Sequence, residues 1–352
     1  MLFALLLQLG AAGVSMDKII LDTDMIEGFD DGVAMVLLSN APGVKLLGVA
    51  TVTGNTWSAE GAAYAVRQLE IEGHKNIPVV QGTNRPLREG RMENFAEERK
   101  NFGAGTDDWA GAFGYPDPGD WQKFFKEHYG KKPSFKTDKR NAVDFIIDTI
   151  KANPGEVVFV EIGPATNLAL AVQKAPEIIP LVKKVIYMGG AFFVPGNVTP
   201  SSEFNFWFDP EAAKICLRSP FKEQVIISLD VCGKVPFRKA DYDAFINMLG
   251  KSALVPVFNR GYQGSSFAKD PARVSYIWDI LTAAVIIDPS VIKGREKLPV
   301  DINDQFGLSY GQSMAYRTRG PAGARTADII TDIDTDKFWK MVLDKKYWNS
   351  AK

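Results

Sequence analysis

Cysteine and histidine are nearly absent from this 352-residue chain, with two of each: Cys216, Cys232, His74 and His128. Two cysteines cannot build a disulfide framework or a CxxC metal site, and two histidines exclude a His-rich zinc centre. Any catalytic imidazole is restricted to two positions. An excess of one charge is missing as well. Lys and Arg total 41 against 42 Asp and Glu, so nothing points to nucleic acid. No GxGxxG follows a strand and no GxxxxGK motif occurs, which removes dinucleotide and nucleoside-triphosphate sites. The apolar stretch at residues 2–14 falls short of the roughly 20 residues that cross a bilayer, so no membrane partner is expected. Small residues follow its leucines (Gly10, Ala11, Ala12, Gly13, Ser15), as at the back of a signal peptide cleaved near Ser15. That reading implies a periplasmic or secreted protein. The competing one is a non-native extension before Met16 and a cytoplasmic protein. Residues 16–352 then form a single domain.

What the chain has is carboxylate, concentrated in one place. Asp22-Thr23-Asp24 and Asp30-Asp31 follow the apolar run Lys18-Ile19-Ile20-Leu21 and precede Val33-Ala34-Met35-Val36-Leu37-Leu38. The first run reads as a buried strand, the second as a helix starting at the second acidic pair. Four carboxylates are thus gathered where strand hands over to helix, the edge at which open α/β sheets bind ligands. Packed carboxylates repel unless a cation or shared protons relieve them, and a hard divalent cation prefers oxygen ligands. The bland alternative is that Asp30 caps its own helix and the others are solvated loop charges.

Short β-rich runs at residues 46–51, 78–80, 157–162, 184–188 and 225–229 alternate with helical patterns at 59–72, 141–152, 165–175 and 210–217. This alternation predicts a doubly wound α/β fold, with a mostly parallel sheet and helices on both faces. Residues 87–139 and 258–276, rich in Gly and aromatics, read as long irregular loops of the kind that form lids or binding loops.

Three more motifs end other predicted strands. Glu161-Ile162 runs into Gly163-Pro164-Ala165-Thr166-Asn167-Leu168-Ala169. Met188 runs into Gly189-Gly190-Ala191, then Gly196-Asn197-Val198-Thr199-Pro200 and Glu203-Phe204-Asn205. Late in the chain stands Trp278-Asp279-Ile280-Leu281-Thr282-Ala283-Ala284. Asn and Glu at such edges suit hydroxyl recognition. With these motifs, and with Ala50-Thr51-Val52-Thr53-Gly54-Asn55, the chain resembles a nucleoside hydrolase of the inosine–uridine family from about Asp17 onward.

The resemblance implies a nucleoside hydrolase-like fold with a Rossmann-like core, a bound Ca²⁺, and hydrolysis of the N-glycosidic bond of ribonucleosides. It also implies a homo-oligomer, dimer or tetramer, acting in purine salvage or nucleoside catabolism. Carried over by position, Asp24 resembles the general base that also touches the metal. Asp31 resembles the bidentate calcium ligand, Asp279 a further ligand, and Ile162 the donor of a backbone carbonyl. Asp30, Asn55, Asn197, Glu203 and Asn205 match ribose-binding positions. Trp278 stands where pyrimidine-tolerant relatives carry a His acid and purine-preferring ones a Trp that stacks on the base. Its partner is expected from residues 87–139, with Trp109 the leading candidate and Tyr262, outside that stretch, a weaker one.

There is one departure. The family places three residues between the second Asp and the Asp pair, whereas five stand here, Met25-Ile26-Glu27-Gly28-Phe29. Gly28 permits a larger loop. The insertion would otherwise displace Asp24 and leave Glu27 as an extra carboxylate near the site. Two other readings follow from the same residues. A Mg²⁺-dependent phosphatase would use Asp22-Thr23-Asp24, but that leaves the Asp pair and the later motifs unexplained. An impaired nucleoside-binding protein would result if Asp24 were lost to the chemistry.

Overall fold

The computed structural model describes residues 16–28, 30–104, 109–134 and 138–348, without the side chains of Tyr262 and Gln263. The expected leader at residues 1–15 and Phe29 of the spacer lie outside the described residues.

The strands are β1 (Asp17–Thr23), β2 (Val44–Thr51), β3 (Val79–Gln81), β4 (Val157–Glu161), β5 (Val182–Met188), β6 (Gln224–Ile227), β7 (Pro236–Arg238), β8 (Val274–Tyr276), β9 (Ile292–Ile302), β10 (Ser313–Ala315) and β11 (Arg325–Ile333). Nine of them form one sheet in the order β10-β9-β11-β6-β5-β4-β1-β2-β3, while β7 and β8 make a separate antiparallel ribbon. From β11 to β3 every pairing is parallel. Only β9 and β10 add antiparallel neighbours at one edge. The central strands are buried on both faces, and for that reason β4 reads as the unbroken run Val157-Val158-Phe159-Val160 and does not alternate.

The first helices in chain order are α1 (Asp31–Asn40), α2 (Ser58–Glu72), α3 (Phe95–Phe102), α4 (Trp121–Tyr129), α5 (Ala142–Ala152), α6 (Thr166–Lys174) and α7 (Phe204–Phe208). They are followed by α8 (Pro210–Arg218), α9 (Leu229–Cys232), α10 (Lys239–Leu249), α11 (Val255–Arg260), α12 (Tyr262–Lys269), α13 (Asp279–Ile287) and α14 (Thr335–Val342). Leu21, Val160, Met188 and Ile227 meet residues of α1, α2, α13 and α14 on one face of the sheet. Ile20, Phe159, Val185 and Tyr187 meet α5, α6 and α8 on the other. The doubly wound α/β architecture is therefore as expected. Among the described residues no helix is long and apolar enough to cross a membrane.

Two expectations need correction. Residues 87–139 hold α3 and α4, and residues 258–276 hold the second half of α11, all of α12, and β8. In α3 the run Phe95-Ala96-Glu97-Glu98-Arg99-Lys100 is charged and buries only Glu98 fully, so the usual apolar stripe is missing. Gly261 and Gly264 disguise α12 in the same way. Residues 225–229 also do not remain strand to the end, because β6 stops at Ile227 and Leu229 opens α9.

The chain moves outward from β1 to β3, then returns across β1 to begin β4. The strand order therefore reverses between β1 and β4, and a crevice opens at their carboxyl ends, beyond Thr23 and Glu161.

Candidate active site

A cleft opens at that switch point, the place where open α/β sheets bind their ligands. Ten of the eleven site residues expected from the sequence line it: Asp30, Asp31, Asn55, Trp109, Ile162, Asn197, Glu203, Asn205, Trp278 and Asp279. Asp24 does not. Neither His74 nor His128 is among the lining residues.

Most of these groups are held by hydrogen bonds to neighbouring elements. Asp31, at the start of α1, accepts from the Thr23 hydroxyl at 2.6 Å and from the Ile26 N–H at 3.4 Å. Glu203 caps α7, accepting from Asn205 N–H and Phe206 N–H, and also accepts from Gly190 N–H at 2.9 Å. The Asn205 amide donates to the carbonyls of Ile162 and Met188 at 3.3 and 3.0 Å. Asn197 accepts from Phe204 N–H, and Asn55 accepts from the Trp109 indole N–H at 2.8 Å. Such bonds lock side chains before any ligand arrives.

Asp30 departs from the bland reading. Its carboxylate makes no cap to α1. It accepts instead from the backbone N–H groups of Trp278 (3.3 Å) and Ile280 (3.1 Å), the first turn of α13. Asp30 itself has φ +38°, the one positive φ outside glycine among the described residues. It therefore ties the start of α1 to the start of α13, the two helix ends that present Asp31 and Asp279.

Asp24 is fully buried behind the cleft. It accepts from the Asn55 N–H at 2.7 Å and lies near enough to Asp31 for that charge to raise it, so it adjoins two lining residues. The Gly54 backbone covers it, and a Cβ on Gly54 would meet Asp24 Oδ2 at 2.2 Å. Two of the described spacer residues, Glu27 and Gly28, are anchored on other elements. Gly28 has φ +75° and lies so close to α11 that a Cβ there would meet the Val257 carbonyl at 2.6 Å. Glu27 is no extra carboxylate of the site: it accepts from the Tyr129 hydroxyl at 2.6 Å and lies 3.5 Å from His128 Nε2, both on α4. Ile26 alone of the described spacer residues lines the cleft. Asp22 also leaves the expected cluster of four. It faces the opposite side of the sheet, where Asn167 of α6 donates to it at 2.9 Å, beside the buried Glu161.

Burial pushes the site carboxyls upward, to about 7 for Asp30 and Glu203 and about 6 for Asp31. Asp24 and Asp279 are also raised well above the usual range, first by burial, then by Asp31 for Asp24 and by Asp30 and Asp31 for Asp279. Among the described residues no three acidic, His or Cys side chains converge as a finished metal cage. Even so, Asp24 Oδ1, Asp279 Oδ1 and Asn205 Oδ1 are buried without a hydrogen-bond partner. Buried acceptors normally find donors, so orphaned oxygens among mutually repelling carboxylates fit a hard, oxygen-seeking cation.

Trp109 and Trp278, both half-buried, also line the cleft. Trp109 packs against a cluster of Val198, Phe204, Trp207 and Phe208, and Arg99 clamps it by donating to the carbonyls of Trp109 and Val198 at 3.2 and 2.8 Å. The Tyr262 side chain lies outside the described residues. Ile26, Met188, Val198, Phe204 and Arg273 complete the lining without having been singled out from the sequence. Arg273 sits in the turn Lys269-Asp270-Pro271-Ala272-Arg273, which reads as solvated. The usable signal is that the strand after it, β8, leads almost directly into Trp278.

A family model described as "Inosine-uridine preferring nucleoside hydrolase" matches residues 19–340. The protein of that same description from Leishmania major is 31% identical over 331 residues, covering 93% of this chain and 96% of its own. A probable uridine nucleosidase 2 from Arabidopsis thaliana is 33% identical over 340 residues, covering 93% and 97%. Among solved structures, the purine-preferring ribonucleoside hydrolase from Gardnerella vaginalis superposes with a TM-score of 0.74 at 25% identity, covering 95% and 99%.

Proposed function

The chain belongs to the inosine–uridine-preferring nucleoside hydrolase family and is an N-ribosyl hydrolase, and from that premise we propose that it cleaves purine ribonucleosides to ribose and free base, with Ca²⁺ as its cofactor. One observation carries the purine reading. Two indoles, Trp109 and Trp278, line the same cleft as the carboxylate floor, and no histidine lines it. Stacking favours the larger purine surface, whereas a pyrimidine leaving group, which lacks an imidazole-ring nitrogen to protonate, has no acid here.

In this reading Asp24 is the general base. It is a carboxylate with one unpartnered oxygen, beside the lining residues Asp31 and Asn55. Asp24, Asp31, Asp279 and the Ile162 carbonyl would hold the cation. Such a cation would supply Lewis-acid chemistry, lowering the pKa of water in the cleft. Asp30, Asn55, Asn197, Glu203 and Asn205 bind and orient the ribose. The floor carboxylates stabilise positive charge as it builds on the sugar. The C1′–N bond breaks with its electron pair going to the base. Water supplies the new C1′–O bond and gives its proton to Asp24. Initial rates test this directly. Inosine, adenosine or guanosine should exceed uridine in kcat/KM by at least about a hundredfold, nearly 3 kcal/mol. Equal rates on uridine and inosine would sink the purine assignment.

A further inference from the structure

Helix α3 is fastened in place without an apolar stripe. Its one fully buried residue, Glu98, is paired with the buried guanidinium of Arg91 and accepts from the Trp207 indole N–H at 2.7 Å. Arg91 also donates to the Trp207 carbonyl at 3.2 Å and lies 4.6 Å from the centre of that ring. Buried charges are tolerated when they are paired and hydrogen-bonded, and both conditions hold here. Trp207 belongs to α7, the helix that is capped by Glu203 and carries Asn205. The charged face of α3 is thereby joined to an element that presents two polar groups of the cleft.

From that base the next residue, Arg99, reaches the back of the cleft without lining it. Nη1 donates to the Val198 carbonyl at 2.8 Å and Nη2 to the Trp109 carbonyl at 3.2 Å. The guanidinium carbon lies 5.0 Å from the ring centre of Trp207 and 5.2 Å from that of Phe95. Trp109 and Val198 both line the cleft, and neither lies in a helix or a strand of the sheet. Their backbone is therefore placed by bonds of this kind. A guanidinium is a rigid planar fork of donors, suited to holding two carbonyls at a fixed separation.

We propose that Arg99 is a positioning residue for the hydrolysis: by bridging the two carbonyls it sets the Trp109 wall against the Asn197–Val198 wall, so that base and ribose are gripped in one geometry. This rests on the reading above in which Trp109 meets the base and Asn197 the ribose. Arg99 gives up no proton and acts through placement alone. Placement matters at this scale, because a shift of about 1 Å in a positioning group can cost on the order of a hundredfold in rate.

The test is kcat/KM on inosine for the full chain, Arg99→Gln, Arg99→Lys, Trp109→Ala, Asn197→Ala, and Arg99→Gln combined with each alanine variant. Arg99→Gln should lower it by about tenfold or more. Arg99→Lys keeps the charge over the rings but replaces the fork with one nitrogen, so it should recover only part of that loss. Alanine at 109 or 197 leaves both carbonyls in place and removes a side chain that Arg99 positions. In either background Arg99→Gln should therefore cost at least about threefold less than in the full chain. Damage to the fold would scale each variant by its own factor and leave the losses multiplicative, as would a merely structural role. Multiplicative losses in either pairing, or Arg99→Gln within about twofold of the full chain, would overturn the role of Arg99. Single losses below about threefold for Trp109→Ala and Asn197→Ala would instead overturn the reading of the cleft on which it rests.

Discussion

Truncating Trp278 to alanine, alone and together with Trp109→Ala, tests whether the two indoles hold one purine between them. Trp278 is half-buried at the start of α13, and the N–H it gives to Asp30 is a backbone group that alanine retains. The tie between α1 and α13 therefore survives the substitution. What disappears is one stacking face, worth about 1–3 kcal/mol per base in aromatic-to-alanine changes. That is roughly a fivefold to 150-fold loss of kcat/KM on inosine. Uridine, with a smaller ring, should lose markedly less. Trp109→Ala removes a second face, and it also frees the Asn55 oxygen that accepts the indole N–H at 2.8 Å, so it should cost somewhat more and weaken ribose binding as well. If one base lies between both rings, it can shift once either is gone. The double variant should then lose less than the sum of the singles, by about 0.5 kcal/mol or more. Additive losses equal on inosine and uridine would refute the paired stacking and with it the reason for expecting purine preference.

Asp31→Ala and Asp279→Ala should each leave calcium substoichiometric in the purified protein by elemental analysis and abolish turnover; full occupancy in either would remove that residue from the ligand set. Asp24→Asn should retain nucleoside binding by calorimetry while kcat falls by at least about a hundredfold, the scale of a lost general base. A fall below about tenfold would take the base role away from Asp24. At the far end of α2, burial raises Glu72 to about 7, with bonds from Asn40 and Ser39 only partly opposing it. The native state then binds more protons than the unfolded chain between the ordinary carboxyl range and about 7, so this group's contribution to stability falls as pH rises through that window. Glu72→Gln should raise Tm at pH 8 and change it little at pH 5, with an upper bound on the order of 3 kcal/mol. A gain equal at both pH values would refute that account.

The parallel core was legible because its strands are apolar throughout and because helices such as α5 and α8 carry a strong apolar stripe. β9 was not. Its sequence Ile292-Lys293-Gly294-Arg295-Glu296-Lys297 alternates half-buried with exposed positions at a sheet edge, and charge masks the pattern. The site residues were legible as residue types following strand ends, since the carboxyl edge of a parallel sheet gathers whatever follows each strand. What such placement cannot show is which oxygens already have partners. Asp30 looked like the cap of the helix it precedes. Only the fold brings the α13 amides, some 250 positions away in sequence, to its carboxylate.

The spacer shows the same limit from the other direction. Counting two extra residues between Asp24 and Asp30 leaves open whether Asp24 moves, because a loop can absorb an insertion on either side of its anchors. The anchors decide the matter, and they are distant in sequence. Asp24 is fixed by the Asn55 amide and the Gly54 backbone from the loop after β2. Asp31 is fixed by Thr23 at the end of β1. The extra length lies between these points, and it is anchored by Glu27 bonding to Tyr129 of α4 and by Gly28 packing on α11. Of those helices α4 falls in a stretch that reads as a loop, although Trp121 and Phe125 recur there at helical spacing. Asp24 and Asp31 remain neighbours despite the insertion because the bonds that hold them involve no residue of the spacer except the long one from Ile26.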